Sequence, residues 1–326
     1  MKAIVYTQYG SLDVLQFKDV EKPVPADDEV LVKVYAASVN SADLHLLKAD
    51  PFLIRMMSGL LKPKNTILGA DIAGRVEAVG ANVKRFRPGD EVFGDIFACG
   101  LGGFAEYVCA RENALVLKPA NLTFEQAAAV PMAAVTALQG LRTMGHIQPG
   151  QTVLVNGASG GVGTFAVQLA KYFGAEVTAV CSTRNLDQAR SLGADHVIDY
   201  TKEDFTQSWQ QYDLILAANG YHSLSAYKRA LTPKGIYVMA GGSMAQIFEA
   251  MLLGSWMSKT GGRKMGGVSA NPNREDLAFM NGLLEAGKVV PVIDRRYPLS
   301  QTAEALRYLG EGHARGKVVI TVGDRV

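Results

Sequence analysis

Cysteine is scarce in this chain of 326 residues. There are three, Cys99, Cys109 and Cys181, with no CxxC pair and no even set. That excludes a disulfide framework and a thiolate metal site as organising devices, and packed, reduced thiols are expected. An excess of one charge is missing too: 33 Lys and Arg against 31 Asp and Glu leave +2. Such a balance calls for neither nucleic acid nor an acidic membrane as a partner. Long apolar runs are also absent. The most apolar stretch, near Met244 to Met257, is broken by Gln246, Glu249, Gly254 and Ser255, which makes it too short and too polar to span a membrane. Met1 to Tyr6 enters an alternating, strand-like segment without an apolar leader, so a soluble, cytoplasmic chain is expected. No internal repeat or low-complexity tract is present.

What is there is an ordinary globular balance, with 48% hydrophobic and 20% charged residues, at a length that suits two domains. The first third reads as β-rich. Glu29 to Ala36 alternates polar and apolar residues, Ala70 to Val79 and Glu91 to Gly94 are further short strands, and Pro23, Pro25 and Arg87-Pro88-Gly89-Asp90 mark turns. A small sandwich or barrel-like body is expected. Phe124 to Leu141 reads as helix, with a break at Pro131. From Gln151 strands and helices alternate, as parallel βαβ units do. A helix at Glu275 to Ala286, the segment Pro291 to Asp294 and a last strand from Lys317 to Val322 are expected to pack back on the first domain. The division is therefore 1–121 with 273–326, and 122–272.

The most informative motif is Gly157-Ala158-Ser159-Gly160-Gly161-Val162-Gly163. It follows the strand Val153 to Asn156 and opens the helix from Thr164, and a second strand and helix come after it. That context turns a weak glycine triplet into a dinucleotide-binding turn. The glycines suit a tight turn, close approach to a pyrophosphate, and helix-to-strand packing, and the free N–H groups of the helix end suit phosphate. The alternative is a tight structural turn in some other α/β protein. About 20 residues beyond Gly163, where NAD-preferring folds carry an Asp or Glu, stands Ser182. Ser182 and Thr183 can donate to a phosphate and Arg184 can pair with it, so NADPH is expected over NADH. Arg184 could instead simply solvate a loop.

The sequence resembles the medium-chain dehydrogenase/reductase superfamily, in particular its zinc-free quinone oxidoreductase (zeta-crystallin-like) branch. The resemblance covers essentially the whole chain. It rests on Ser38 to Asp43, on Leu68 to Val76 and on Phe86 to Val92. It continues through Gly103 to Tyr107, Ala134 to Ala137 and the glycine turn. It implies an α/β fold, with a Rossmann doubly wound parallel sheet domain and a β-rich GroES-like catalytic domain. Zinc-dependent members carry a Cys in the Asn40 region and a Gly-His-Glu after it. Here stand Asn40 and Gly69-Ala70-Asp71, and the four-cysteine zinc loop is missing. His45, His146, His196, His222 and His313 are scattered singly, so no metal is expected. Without a Lewis acid, a conjugated acceptor is an easier target than an alcohol.

The resemblance thus implies NADPH-dependent reduction of quinones or of the C=C bond of α,β-unsaturated carbonyls, with a small enone or quinone as substrate. Family positions place Asn40 near the nicotinamide, able to donate to cofactor or substrate, and Thr136 at the nicotinamide end. Gly160, Gly161 and Val162 line the pyrophosphate. Ser182, Arg184 and Tyr200 surround the 2′-phosphate, and Asn219 lies near the adenine-side ribose. Ala240, Gly241 and Gly242 approach the nicotinamide, and Lys317 closes over the cofactor. Asn40 could instead be a turn former, and Tyr200 and Asn219 ordinary loop residues. No proton donor stands out. Asp43 and His45 are possible acids, and Asp43 could equally be structural. The related enoyl-thioester reductases use a tyrosine in the segment that here runs from Leu46 to Met57, which has none. Phe52, Leu53, Met56 and Met57 could form an apolar lip over the substrate or the packed face of a helix. The competing class is non-catalytic: some zinc-free relatives bind RNA or serve as lens or assembly proteins. The nearly neutral charge argues against nucleic acid. A homodimer joined through a sheet edge near Ile236 to Met239 is expected from the resemblance.

Overall fold

The computed structural model describes residues 1–220, 222–241, 262–268 and 270–323. Gly242 and the apolar stretch Met244 to Met257 lie outside the described residues, as does the side chain of Met57. Two units form. One is Met1–Met132 with Pro272–Ala286 and Pro291–Val326, and the other is Ala133–Asn271 with Gly287–Val290.

The first unit is organised by one long strand, Glu29–Val39. It pairs antiparallel with Asp71–Val79 along one edge, and with Tyr107–Arg111 and then Lys317–Thr321 along the other. Being bonded on both sides, it buries more than the half expected from its alternation: Val30, Leu31, Val32 and Val34 are all inside. The sheet extends through Glu91–Asp95 to Leu115–Leu117 at one end and to Ile293–Pro298 at the other. The C-terminal segments Pro272–Ala286 and Pro291–Val326 belong to this unit. A separate hairpin joins Lys2–Val5 to Gln16–Asp19. Ile72, Phe104, Leu306 and Ile320 are among the buried side chains of the shared core. The helix Phe124–Ala128 belongs here rather than to the second body, because Phe124 stacks on Tyr35 with ring centroids 4.7 Å apart. The boundary accordingly falls later than residue 121. Pro131 ends that helical run and opens the next helix, Pro131–Leu138, at a position that needs no N–H.

The second unit is a six-stranded parallel sheet. Its order is His196–Asp199, Glu176–Cys181, Thr152–Asn156, Tyr212–Ala217, Leu231–Met239 and Lys264–Gly267. Strand Thr152–Asn156 is central. The chain runs outward from it to one side, then crosses back and fills the other side from Tyr212 onward. The order therefore reverses between Thr152–Asn156 and Tyr212–Ala217, the position where open α/β sheets bind ligands at their C-terminal strand ends. Leu231–Met239 is an interior strand, bonded on both sides. Among the described residues the edge expected near Ile236 to Met239 is instead Lys264–Gly267, which is too glycine-rich to be read as a strand from sequence. Gly287–Val290 joins this unit because Gln168 grips Val290, accepting from its N–H (2.8 Å) and donating to its carbonyl (3.0 Å).

Candidate active site

The glycine turn occupies the C-terminal end of the central strand, and Gly157, Gly163 and Gly160 differ in their surroundings. Gly157 sits at φ +81°, and a Cβ there would lie 2.8 Å from the backbone N and Cβ of Asn219. Asn219 stands across the reversal point, its N–H donating to the carbonyl of Asn156 (3.2 Å). Gly163 packs the helix Gly161–Tyr172 onto the strand end, where a Cβ would come 2.1 Å from the carbonyl oxygen of Gly157. Gly160 is unlike both. Among the described residues its Cβ would meet nothing nearer than 3.6 Å, so these residues do not demand glycine there. Room at Gly160 admits a ligand to the backbone. The helix end behind it carries no side-chain cap, leaving its N–H groups to an anion. This cradle fits the pyrophosphate of a dinucleotide.

The other expected cofactor residues line up at the ends of neighbouring strands. Ser182 follows Glu176–Cys181, Tyr200 follows His196–Asp199, and Ala240 and Gly241 follow Leu231–Met239. Ala240 is tied by its N–H to the carbonyl of Ala217 (2.8 Å), and a Cβ on Gly241 would press on the Ala218 carbonyl at 2.4 Å. Thr136 is buried on the helix Pro131–Leu138 of the same unit. Val162 and Gly161 lie in the first turn of the helix behind the glycines.

Two residues missed in the sequence shape this region. Asn185 is buried, and its Nδ2 donates both to Ser159 Oγ (3.0 Å) and to Ser182 Oγ (3.1 Å). Because each serine accepts from Asn185, its own hydroxyl hydrogen is left for an anion. The other is Asp199. Thr183, expected to donate to phosphate, gives its hydroxyl hydrogen to the Asp199 carboxylate. That carboxylate also takes the N–H (3.0 Å) and hydroxyl (2.7 Å) of Thr201, and the Thr183 bond above all holds its carboxyl down at about 2. Thr183 thus anchors the loop through Asp199, although it is exposed. Parallel register alone brings this about, since Asp199 pairs opposite Cys181.

In the first unit the residues around Asn40 form a buried polar cluster. Asp71, fully buried, accepts at Oδ2 from Ser38 Oγ (2.8 Å), Asn40 Nδ2 (3.0 Å) and Lys317 Nζ (3.2 Å), and at Oδ1 from the N–H of Met132 (2.9 Å). Lys317 is only 4% exposed and also donates to Asn40 Oδ1 at 2.5 Å. The Asn40 amide is thereby fixed: its nitrogen faces Asp71 and the Ser38 carbonyl, its oxygen faces Lys317. The expectation that Asn40 itself donates to a ligand gives way. The ammonium of Lys317 has three hydrogens and two fixed acceptors, so one donor remains. Lys317, expected over the cofactor, is held here by Asn40 and Asp71.

Asp43 has a different place from the acid expected of it. It is 1% exposed, and its two oxygens accept the N–H groups of Asn40 (2.8 Å) and Gly69 (3.0 Å). It starts the helix Ser41–Lys48 and ties it to the strand bearing Asp71, which makes it a positioning group. Burial, resisted by those two N–H bonds, raises its carboxyl to about 7. Asp95, opposite Asp71 in the sheet, is raised to about 7 by burial and by the Asp71 charge. Its Oδ2 has no hydrogen-bond partner. A raised carboxyl makes the folded protein hold its proton more tightly. The stabilisation is complete below about pH 4 and is lost as pH climbs through about 7. Asp95→Asn is therefore expected to melt about 2–4 °C above the wild type at pH 8, with the gap narrowing below pH 7 and closing by about pH 4. Equal melting temperatures at pH 8 would contradict this account of Asp95.

Comparison with known proteins agrees with this layout. Residues 26–120 match the family described as alcohol dehydrogenase GroES-like domain, and residues 192–320 that described as zinc-binding dehydrogenase. A 2-methylene-furan-3-one reductase of Solanum lycopersicum is 39% identical over 98% of this chain and 79% of its own. An NADPH-dependent alkenal/one oxidoreductase, chloroplastic, of Arabidopsis thaliana is 36% identical over the same shares. The solved quinone oxidoreductase from Coxiella burnetii superposes with a TM-score of 0.88 at 31% identity, covering 99% of both chains. The second family's description names zinc, and the residues here do not fit such an ion. The Lys317 ammonium already places a positive charge against Asp71, and among the described residues no three His, Cys, Asp or Glu side chains gather.

Proposed function

The chain belongs to the zinc-free quinone oxidoreductase branch of the medium-chain dehydrogenase/reductase superfamily, and from that premise we propose that it reduces quinones and the C=C bond of α,β-unsaturated carbonyls with NADPH. The balanced reaction for an enone is one enone, one NADPH and one proton giving the saturated carbonyl and NADP⁺. The cofactor, when bound, supplies the hydride to the electrophilic carbon. The chain's task is the charge that then develops on the carbonyl oxygen. One observation carries this reading: a buried ammonium, Lys317, held by Asn40 and Asp71 with one hydrogen unspent. A preorganised cation of this kind stabilises an enolate or a quinol oxyanion without having to reorient. We assign the unspent hydrogen of Lys317 to that oxygen. In a test by loss of reduced-cofactor absorbance, a quinone and an enal should be turned over and a saturated ketone should not. Turnover of the ketone, or of nothing, would refute the proposal.

Preference for NADPH is supported by the Ser159 and Ser182 hydroxyls freed by Asn185 and by Arg184 at the same strand end. Arg184→Glu should raise the KM for NADPH about tenfold or more while that for NADH changes little. An equal rise for both cofactors would remove Arg184 from 2′-phosphate recognition. We place self-association at the Lys264–Gly267 edge, the outermost strand of its sheet among the described residues.

A further inference from the structure

The loop between the helix Ser41–Lys48 and the strand Asp71–Val79 leaves and rejoins the fold at the polar cluster, through Asp43 and Gly69. Its outer surface departs from the overall charge and polarity of the chain. Phe52, Leu53, Met56 and Leu60 are exposed, and Leu61 is 90% exposed. The loop is held to present them. The Tyr9 hydroxyl donates to the carbonyl of Gly59 (2.6 Å), and the Arg55 guanidinium lies over the Tyr9 ring at 5.0 Å. The N–H of Lys64 donates to the Ser58 carbonyl (2.7 Å). Gly59, at φ +121°, closes the turn where a Cβ would strike the Lys62 carbonyl at 2.1 Å.

Charge on this loop is one-sided. Lys48, Arg55, Lys62 and Lys64 face a single acid, Asp50, between Leu46 and Asn65. Lys48, Lys62 and Lys64 are exposed, and none is in an ion pair with a described residue. Exposed apolar side chains flanked in sequence by exposed lysines match an anionic bilayer: the cations meet the headgroups while the apolar tips enter the acyl boundary. Two copies of such a face would repel each other. We propose that this loop is a docking surface for an anionic phospholipid membrane. The overall charge of +2 conceals it, because the excess is local.

Flotation of the full chain with vesicles tests this, using phosphatidylcholine alone and phosphatidylcholine mixed with phosphatidylglycerol. The protein should float with the anionic vesicles only and be released by salt. Lys62→Glu with Lys64→Glu should lower the bound fraction about tenfold or more. Leu61→Ser should lower it as well. Both variants should keep the wild-type melting temperature and the turnover of a small soluble acceptor. Failure to float, equal flotation on both vesicle types, or unchanged binding by the charge-reversed variant would overturn the proposal. A Leu61-dependent dimer in sedimentation without flotation would reassign the surface to self-association. Turnover of a soluble acceptor is read separately, so the reductase reading stands or falls independently of the vesicles.

Discussion

Replacing Lys317 by methionine is expected to lower kcat for an enone about 10²- to 10³-fold, the usual cost of removing one preorganised oxyanion donor. NADPH affinity, measured by fluorescence titration, should stay within about twofold, since Lys317 is held by Asn40 and Asp71 and belongs to the unit without the glycine turn. The single variant carries a second cost. It leaves Asp71 buried without its cation, and breaking such a pair destabilises by about 3–5 kcal/mol. A loss of activity could then be mistaken for a loss of fold. The pair Lys317→Met with Asp71→Asn separates the two. It removes both charges, and the new side-chain amide still offers an acceptor to the Met132 N–H, so melting temperature should recover most of the loss. The rate should not recover. Recovery of both stability and rate would mean that Lys317 serves the fold alone.

Lys317 also shows where sequence reading stops. It lies 277 residues from Asn40 along the chain. What joins them is antiparallel register: Val318 pairs with Val39, which brings Asn40, the residue after Val39, opposite Lys317, the residue before Val318. The same holds for Asp71, aligned with Ser38, and for Asp199, aligned with Cys181. No local pattern announces such pairings, because register is a property of two strands and only one is visible at a time. The glycine turn is the opposite case. Its place could be read directly, and the reason for Gly163 lies within the turn, although the neighbour that crowds Gly157 is the distant Asn219. Asn185 lies between these limits. It stands three residues after Ser182, and the tight turn Thr183–Asn185 brings its amide back over that serine. An asparagine so placed is a signal, but only once the turn is known to be helical.

The glycine turn yields the second large effect, and it depends on which glycine is changed. Gly163→Ala drives a Cβ to 2.1 Å from the Gly157 carbonyl and 2.8 Å from Ala158. Neither neighbour is a flexible side chain, so the helix must move off the strand end. The expected cost is about 1–3 kcal/mol, reduced a little by the better helix propensity of alanine, and cofactor binding is lost with it. Gly160→Ala should behave differently. Its backbone is ordinary extended chain at φ −79°, and its Cβ meets nothing closer than 3.6 Å among the described residues. Stability should stay within about 0.5 kcal/mol of the wild type. Affinity for NADPH should nevertheless fall about tenfold or more, since the methyl takes the space through which a charged phosphate reaches the backbone N–H groups. Calorimetric titration with NADPH, beside a thermal melt, measures both quantities on one sample. Unchanged affinity in Gly160→Ala would show that the pyrophosphate does not approach this side of the turn. Weaker binding only in step with lost stability would leave Gly160 a fold residue like Gly163. A folded variant that no longer binds would mark Gly160 as the position whose glycine is there for the ligand.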